Sequence, residues 1–194
     1  MVGYDFFGKE FRGKSVGDTV SFGSYKQEEI KWIILEKQDL KFLLISKDVL
    51  DREPYNTSYK DVTWESCTLR TWLNGPFLDT AFSSVKKSLI QTTNVSADKN
   101  SNYNTNPGKE TIDKVFLLSL IEAEKYFPSD KEKFVKYKDH YNWWWLRTPG
   151  NSQNHAAGAL YVDSGADVSL IFGGIRPTLW ISFKNLNNEE KAQG

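Results

Sequence analysis

The sequence predicts an α+β fold of short, mostly antiparallel strands with a few short helices. Strand-like runs gather at the two ends of the chain, and helix-like spacings fall in the middle, an order that favours segregated rather than alternating elements. The 194 residues fit one domain, and a chain of this size buries roughly 70% of the surface its unfolded form exposes. Aromatic residues make up 14% of the chain, so large buried areas per residue are available for a core. The expected organisation is a leader over 1–16, one domain over 17–183 and a tail over 184–194.

Taken in order, Asp18 to Phe22 alternates and predicts a short strand closed by Gly23. Ile30 to Glu36 and Leu40 to Ser46 are β-branched and aromatic runs around Lys37-Gln38-Asp39, which predicts a hairpin with Trp32 and Phe42 in the core. In Glu65 to Asn74 the residues Leu69, Trp72 and Leu73 recur at helical spacing, and Asn74-Gly75-Pro76 reads as the stop. Phe77, Leu78, Ala81 and Phe82 predict a second short helix, and Ser83 caps a third that runs to Ile90. Asn94 to Gly108 is almost devoid of apolar residues and predicts a long surface loop, either mobile or functional. Thr111 to Leu118 predicts a strand. Ser119 with Glu122 forms a capping box for a helix over Leu120 to Phe127, ended by Pro128. Four strand candidates follow: Trp143 to Arg147, Ala157 to Val162, Val168 to Phe172 and Ile175 to Ile181. No internal repeat or coiled-coil pattern occurs.

Charge and composition narrow the function. Lys+Arg and Asp+Glu are equal at 25 each, and no basic block supplies the cationic footprint that nucleic-acid binding requires. No run approaches the ~18 apolar residues of a membrane span, and the N-terminus lacks the apolar region of an export signal. A soluble chain is therefore expected, with the compartment open: cytoplasmic, cell-surface or virion-associated. Cys67 is the sole cysteine, which excludes an intrachain disulfide and reads as a buried, inert thiol. The triplets Asn56-Thr57-Ser58 and Asn94-Val95-Ser96 read as chance matches to the glycosylation pattern.

Catalytic signatures are missing. There is no nucleophile elbow and no phosphate loop. His140 and His155 are the two histidines, too few for a zinc site without further nitrogen or sulfur ligands. Asp163 and Asp167 lie in VDSGAD, whose spacing departs from an acidic calcium loop and suits turn chemistry. No cofactor, metal or catalytic residue is expected. Paired carboxylates for glycoside cleavage stay open, because their separation is invisible in sequence.

The densest signal is a pair of phrases, WWWLRTPG from Trp143 to Gly150 and GGIRPTLWI from Gly173 to Ile181. Strand alternation puts Trp143 and Trp145 on one face and Trp144 on the other. Arg147 and Arg176 are placed to stack on rings and to bond backbone carbonyls, locking loops. Pro149 and Pro177 each lack a ladder donor and mark strand ends or edges. With Gly150, Gly173 and Trp180 these residues are expected to form a rigid frame.

The combination of WESCTLRTWLNGPF, WWWLRTPG and GGIRPTLWI resembles an uncharacterised bacterial and phage domain family, over about residues 17 to 182. Members show a Trp–Leu–Arg–Ser/Thr–Pro–Gly phrase and end in Gly–x–Arg–Pro–Ala–Leu–Trp. The resemblance implies a C-type-lectin-like fold, similar to diversity-generating retroelement variable proteins and more distantly to formylglycine-generating enzymes. The cysteine pair and copper of those enzymes do not carry over, since Cys67 stands alone. Calcium-dependent sugar binding does not carry over either, because the chain has no Trp-Asn-Asp phrase.

The segment from Asn151 to Phe172 is small, polar and glycine-punctuated, and many of its residue types are reachable by changing adenines in Asn-type codons. The expected function is non-enzymatic recognition of a protein or glycan by this segment, held by the frame. His155, Tyr161 and Phe172 would supply contact area, and Asn151, Asn154, Asp163, Asp167 and Ser169 adaptable hydrogen bonds. The competing expectations are an enzyme on the same scaffold acting on a glycan or peptide, and a structural module of a surface or virion assembly.

Overall fold

The structure is a computed structural model that describes residues 9–138, 140–160 and 164–183. Two sheets organise it. One has the order β1-β2-β3-β13, from Thr19–Tyr25, Glu28–Gln38, Lys41–Ser46 and Thr178–Ser182. The other has the order β11-β10-β9-β12-β4, from Ala166–Asp167, His155–Ala159, Trp144–Pro149, Gly174–Ile175 and Asp51–Arg52. Two small ribbons complete it, β5 (Thr93–Val95) with β6 (Thr111–Asp113) and β7 (Val135–Tyr137) with β8 (His140–Asn142). All pairings are antiparallel except that of β12 with β9. The class is thus α+β with mostly antiparallel strands.

The first hairpin forms where the β-branched runs lie, and Trp32, Ile34, Leu44 and Ile45 bury their side chains completely. Gly23 does not close the first strand. The register of β1 shifts between Ser21 and Ser24, and the chain crosses this bulge with Gly23 at φ +83°, then continues to Tyr25. Phe11, in the expected leader, is buried against Phe22, Phe42 and Phe183, so the packed unit begins before residue 17.

Gly75-Pro76 does not stop the middle helix. Thr68–Trp72 runs into a π-helical turn over Leu73–Phe77 and on into Leu78–Ala81. The wider turn absorbs the missing proline donor, and Asn74 ties it to the chain after β6 by donating to Val115 O at 2.8 Å and accepting from Lys114 N at 2.8 Å. Ser83 caps Ser84–Leu89, and the Ser119–Glu122 capping box starts Leu120–Tyr126.

Three expected strands change. Thr111–Leu118 is a strand only over β6, with one further bridge from Phe116 to Thr178. Val168–Phe172 is a turn, entered through β11 and held by Leu170 N donating to Asp167 O at 3.1 Å. Ile175–Ile181 divides into β12 and β13, which belong to different sheets. Pro177 cannot continue a ladder, and Arg176 makes the crossing.

Candidate ligand-binding face

The frame is built from the alternation of β9. Trp144 points to one side, where its ring packs edge-on to Phe127 at 6.1 Å and Nε1 donates to Lys133 O at 3.0 Å. Trp145 points to the other, against Trp143 at 4.6 Å and Tyr55 at 5.7 Å, and its Nε1 donates to Glu53 O at 2.9 Å. Arg176 lies buried between Phe127 and Trp144, its guanidinium 5.0 Å and 4.7 Å from the two ring centroids. Its Nε donates to Ser46 O at 3.0 Å, so it ties the crossover to the end of β3. Burial pushes this guanidinium down from its usual range to about 9, opposed by the charge of Asp48.

Arg147 does a different job. Its Nε donates to Ser96 O at 3.0 Å, Nη1 to Leu117 O at 2.9 Å, and Nη2 to Asp98 Oδ2 at 2.9 Å; Nη1 also donates to Glu122. The guanidinium joins three separate chain segments that no regular element connects. Trp180 sits apart, on β13, where Lys41 Nζ lies 4.3 Å from its ring centroid. It belongs to the other sheet and does not border the segment.

Asn94 to Gly108 is a wall of the site rather than a detached loop. Asn100 is buried and donates to Pro149 O at 2.9 Å, and Thr105 donates to Gly150 O at 3.0 Å. Gln153 donates to Asn106 O at 3.0 Å and to Val62 O at 3.2 Å. Asparagine and threonine abound here because they bond backbone that no strand partner satisfies.

Within the segment, Gly150 is buried, its N–H donating to His155 O at 2.8 Å. Asn151 is exposed at the rim. Asn154 and His155 are half-buried, with Ser152 Oγ 2.8 Å from Asn154 Oδ1 and 2.5 Å from His155 Nδ1. Asn154 Oδ1 also lies 3.0 Å from His155 Nδ1. All three side chains belong to one turn, and their bonds shape that turn. Asp167 Oδ1 accepts from both the N–H and the hydroxyl of Ser169 at 2.7 Å, so these two residues set the next turn. Tyr161 and Asp163 lie outside the described residues.

That second turn delivers an exposed apolar run to the face. Buried Val168 anchors it, and Leu170, Ile171 and Phe172 then stand 39%, 61% and 58% exposed. Gly173 stops the run because a Cβ there would lie 2.0 Å from Trp145 Nε1. Beside it Tyr141 of β8 and Phe134, the residue before β7, are exposed, and their rings meet edge-on at 6.2 Å. Asn142 couples the two, donating to Phe172 O at 3.3 Å and accepting from Arg52 Nη2 at 3.0 Å. Leu170, Ile171, Phe134 and Tyr141 escaped the expected contact set. The available signal was the unbroken Leu-Ile-Phe run before Gly173-Gly174, which a strand cannot bury on one face.

Among the described residues no group of three or more His, Cys, Asp or Glu is placed to hold a metal ion, and no helix is long and apolar enough to cross a membrane. Cys67 is buried at the start of Thr68–Trp72, where its Sγ accepts from Arg70 N, and burial pushes the thiol up to about 12.

The fold and face define an α+β domain with a framed, loop-built surface. The chain belongs to DUF6273, a domain family of unknown function whose model matches residues 39–183. No curated protein and no solved structure matches it.

Proposed function

We propose that this chain is a non-enzymatic recognition domain of C-type-lectin-like architecture that presents residues 151–172 to a protein or glycan. The observation that carries the reading is the Leu170–Phe172 turn. Three large apolar side chains stand in solvent on backbone fixed from below by Gly173 and Trp145. Contiguous exposed apolar surface on a rigid support is what interaction sites offer. The polar side chains of Asn151, Asn154 and His155 lie on the neighbouring turn of the same segment and supply hydrogen bonding next to that contact area. The return of the last strand, β13, to the sheet that holds β1 supports the lectin-like reading.

Similarity to retroelement variable proteins is part of this proposal. It expects a reverse-transcriptase gene and a near-copy of the codons for residues 143–181 close by in the genome. The binding reading is tested by screening the protein against a glycan array and a displayed protein library. Ligands found with the native chain should bind the Leu170→Ser/Ile171→Ser/Phe172→Ser variant at least about tenfold more weakly. Equal binding by that variant and by Asn154→Ala would overturn the assignment of the face.

A further inference from the structure

A second site lies elsewhere, where the ladder between β2 and β3 splits. Lys47 N still donates to Lys31 O at 2.8 Å, but the chain then turns away, and Val49 N donates instead to Lys136 O of β7 at 3.0 Å. The split opens a cleft of about 460 Å³, within the size range of ligand sites. Ile30, Val49 and Leu50 give it an apolar side, and Lys26 and Lys138 also line it.

One wall of this cleft is an unused strand edge. The β1–β2 hairpin closes through the two residues Lys26 and Gln27, at φ +50° and +69°, with Tyr25 opposite Glu28. A two-residue loop of this kind makes its flanking pair the hydrogen-bonded one. Ser24 and Glu29 are therefore the next, non-bonded pair, and the N–H and C=O of Glu29 point away from β1. The Lys31 carbonyl, two residues on, points the same way and confirms the phase by accepting from Lys47. Neither backbone group of Glu29 meets a partner across that edge among the described residues.

The tip is held in place rather than left to drift. Asp51 is buried and accepts from Tyr25 Oη at 2.7 Å and Lys26 Nζ at 3.0 Å. Left-handed backbone at two successive side-chain-bearing residues is costly and persists because such contacts over-determine it. Lys31 is engaged by Glu29 at 2.5 Å. Lys136 and Lys138 of the β7–β8 ribbon, Glu28 of β2 and Asp48 of the connecting chain are the remaining charges that line the cleft.

We infer that the cleft binds an extended peptide segment, which adds to β2 through the N–H and C=O of Glu29. The main chain of an extended segment offers a donor and an acceptor at the spacing that the N–H and C=O of one strand residue present, and it continues the ladder that β3 leaves at Lys47. An extended segment also sends alternate side chains to opposite sides, where the cleft offers both lysines and carboxylates. This inference is independent of the recognition face and survives its failure.

The probe is an acetylated and amidated pentapeptide, Val-Glu-Val-Thr-Val, titrated into the full-length protein and followed by backbone amide NMR. The expected result is saturable shifts at Glu29, Ile30, Val49 and Lys136. The same peptide N-methylated at its central residues should bind at least about tenfold more weakly. Glu29→Pro removes the outward N–H and no bond to β1, so it should weaken binding to the same degree. Glu29→Ala keeps that N–H and should bind within about twofold of the native protein. Absence of shifts at the cleft would overturn the inference, as would equal binding of the N-methylated peptide. Should Glu29→Pro fail to fold, the N-methylated peptide decides alone.

Discussion

Replacing Arg147 by Met tests whether this guanidinium holds the face together. The side chain is 3% exposed, and the carboxylates it meets are 24% exposed at Asp98 and 31% at Glu122. Removing one partner of a fully buried ion pair costs about 3–5 kcal/mol. Here the carboxylates can partly rehydrate, which lowers that figure, while the carbonyls of Ser96 and Leu117 each lose their donor, at about 1 kcal/mol apiece. The expected net loss is about 3 kcal/mol. With a urea slope of about 2 kcal/mol per M, the unfolding midpoint should fall by ~1.5 M. Amide exchange should accelerate over residues 96–106, which Arg147 anchors, and not in β2 or β3. Adding Asp98→Asn and Glu122→Gln to Arg147→Met should recover part of the loss, because no half-buried carboxylate is then left without its cation. A midpoint shift below ~0.5 M, about 1 kcal/mol, would show that the three segments hold together without the guanidinium.

Gly173→Ala forces the Trp145 ring aside and strains its bond to Glu53 O. A loss of about 2 kcal/mol is expected, read as a fall in Tm of roughly 6 °C by calorimetry. Phe172→Ser and Ile171→Ser remove exposed groups and should leave stability within about 0.5 kcal/mol of the native chain in the same urea assay. Cys67 should resist a thiol reagent at about pH 8 until the chain is unfolded in concentrated guanidinium. Its pKa rises from 9.0 to about 12 on folding. The unfolded chain therefore releases a proton that the folded one keeps, and the thiol's contribution to stability is lost as pH climbs through that window. A Cys67→Ala comparison across the same pH range checks the sign.

Elements that depend on local chemistry were legible in the sequence. The first hairpin, the Ser119–Glu122 capping box and the opposed faces of Trp144 and Trp145 each follow from alternation or from one short-range bond. Misread elements depend on partners far along the chain. Ile175–Ile181 reads as one apolar run, yet its two halves meet β9 and β3, and nothing local separates them except Pro177. Gly75-Pro76 carries every mark of a helix end, but Asn74 finds Val115 across the fold and the chain coils on. Asn94–Gly108 is the surface loop its composition predicts, but its packing depends on distant partners: the Pro149 and Gly150 carbonyls accept from its side chains, and the Gln153 side chain accepts from Asn106 N.

Part of the candidate site was hidden for a related reason. Asp167 and Ser169 have the composition of ligand contacts, but they satisfy each other. A polar side chain in a loop has two uses, and sequence cannot separate them: it can bond a partner, or it can fix the turn that displays something else. In this segment the second use falls to Asp167 and Ser169, and the residues they display are Leu170, Ile171 and Phe172. The shape of the turn rests on short bonds between neighbouring residues and on the Gly173–Trp145 contact below it. The side chains at its crest touch little of the fold, so they can change with little effect on stability. If the proposed recognition role holds, specificity would be altered at the crest without disturbing the supports that Arg147, Arg176 and the tryptophans provide.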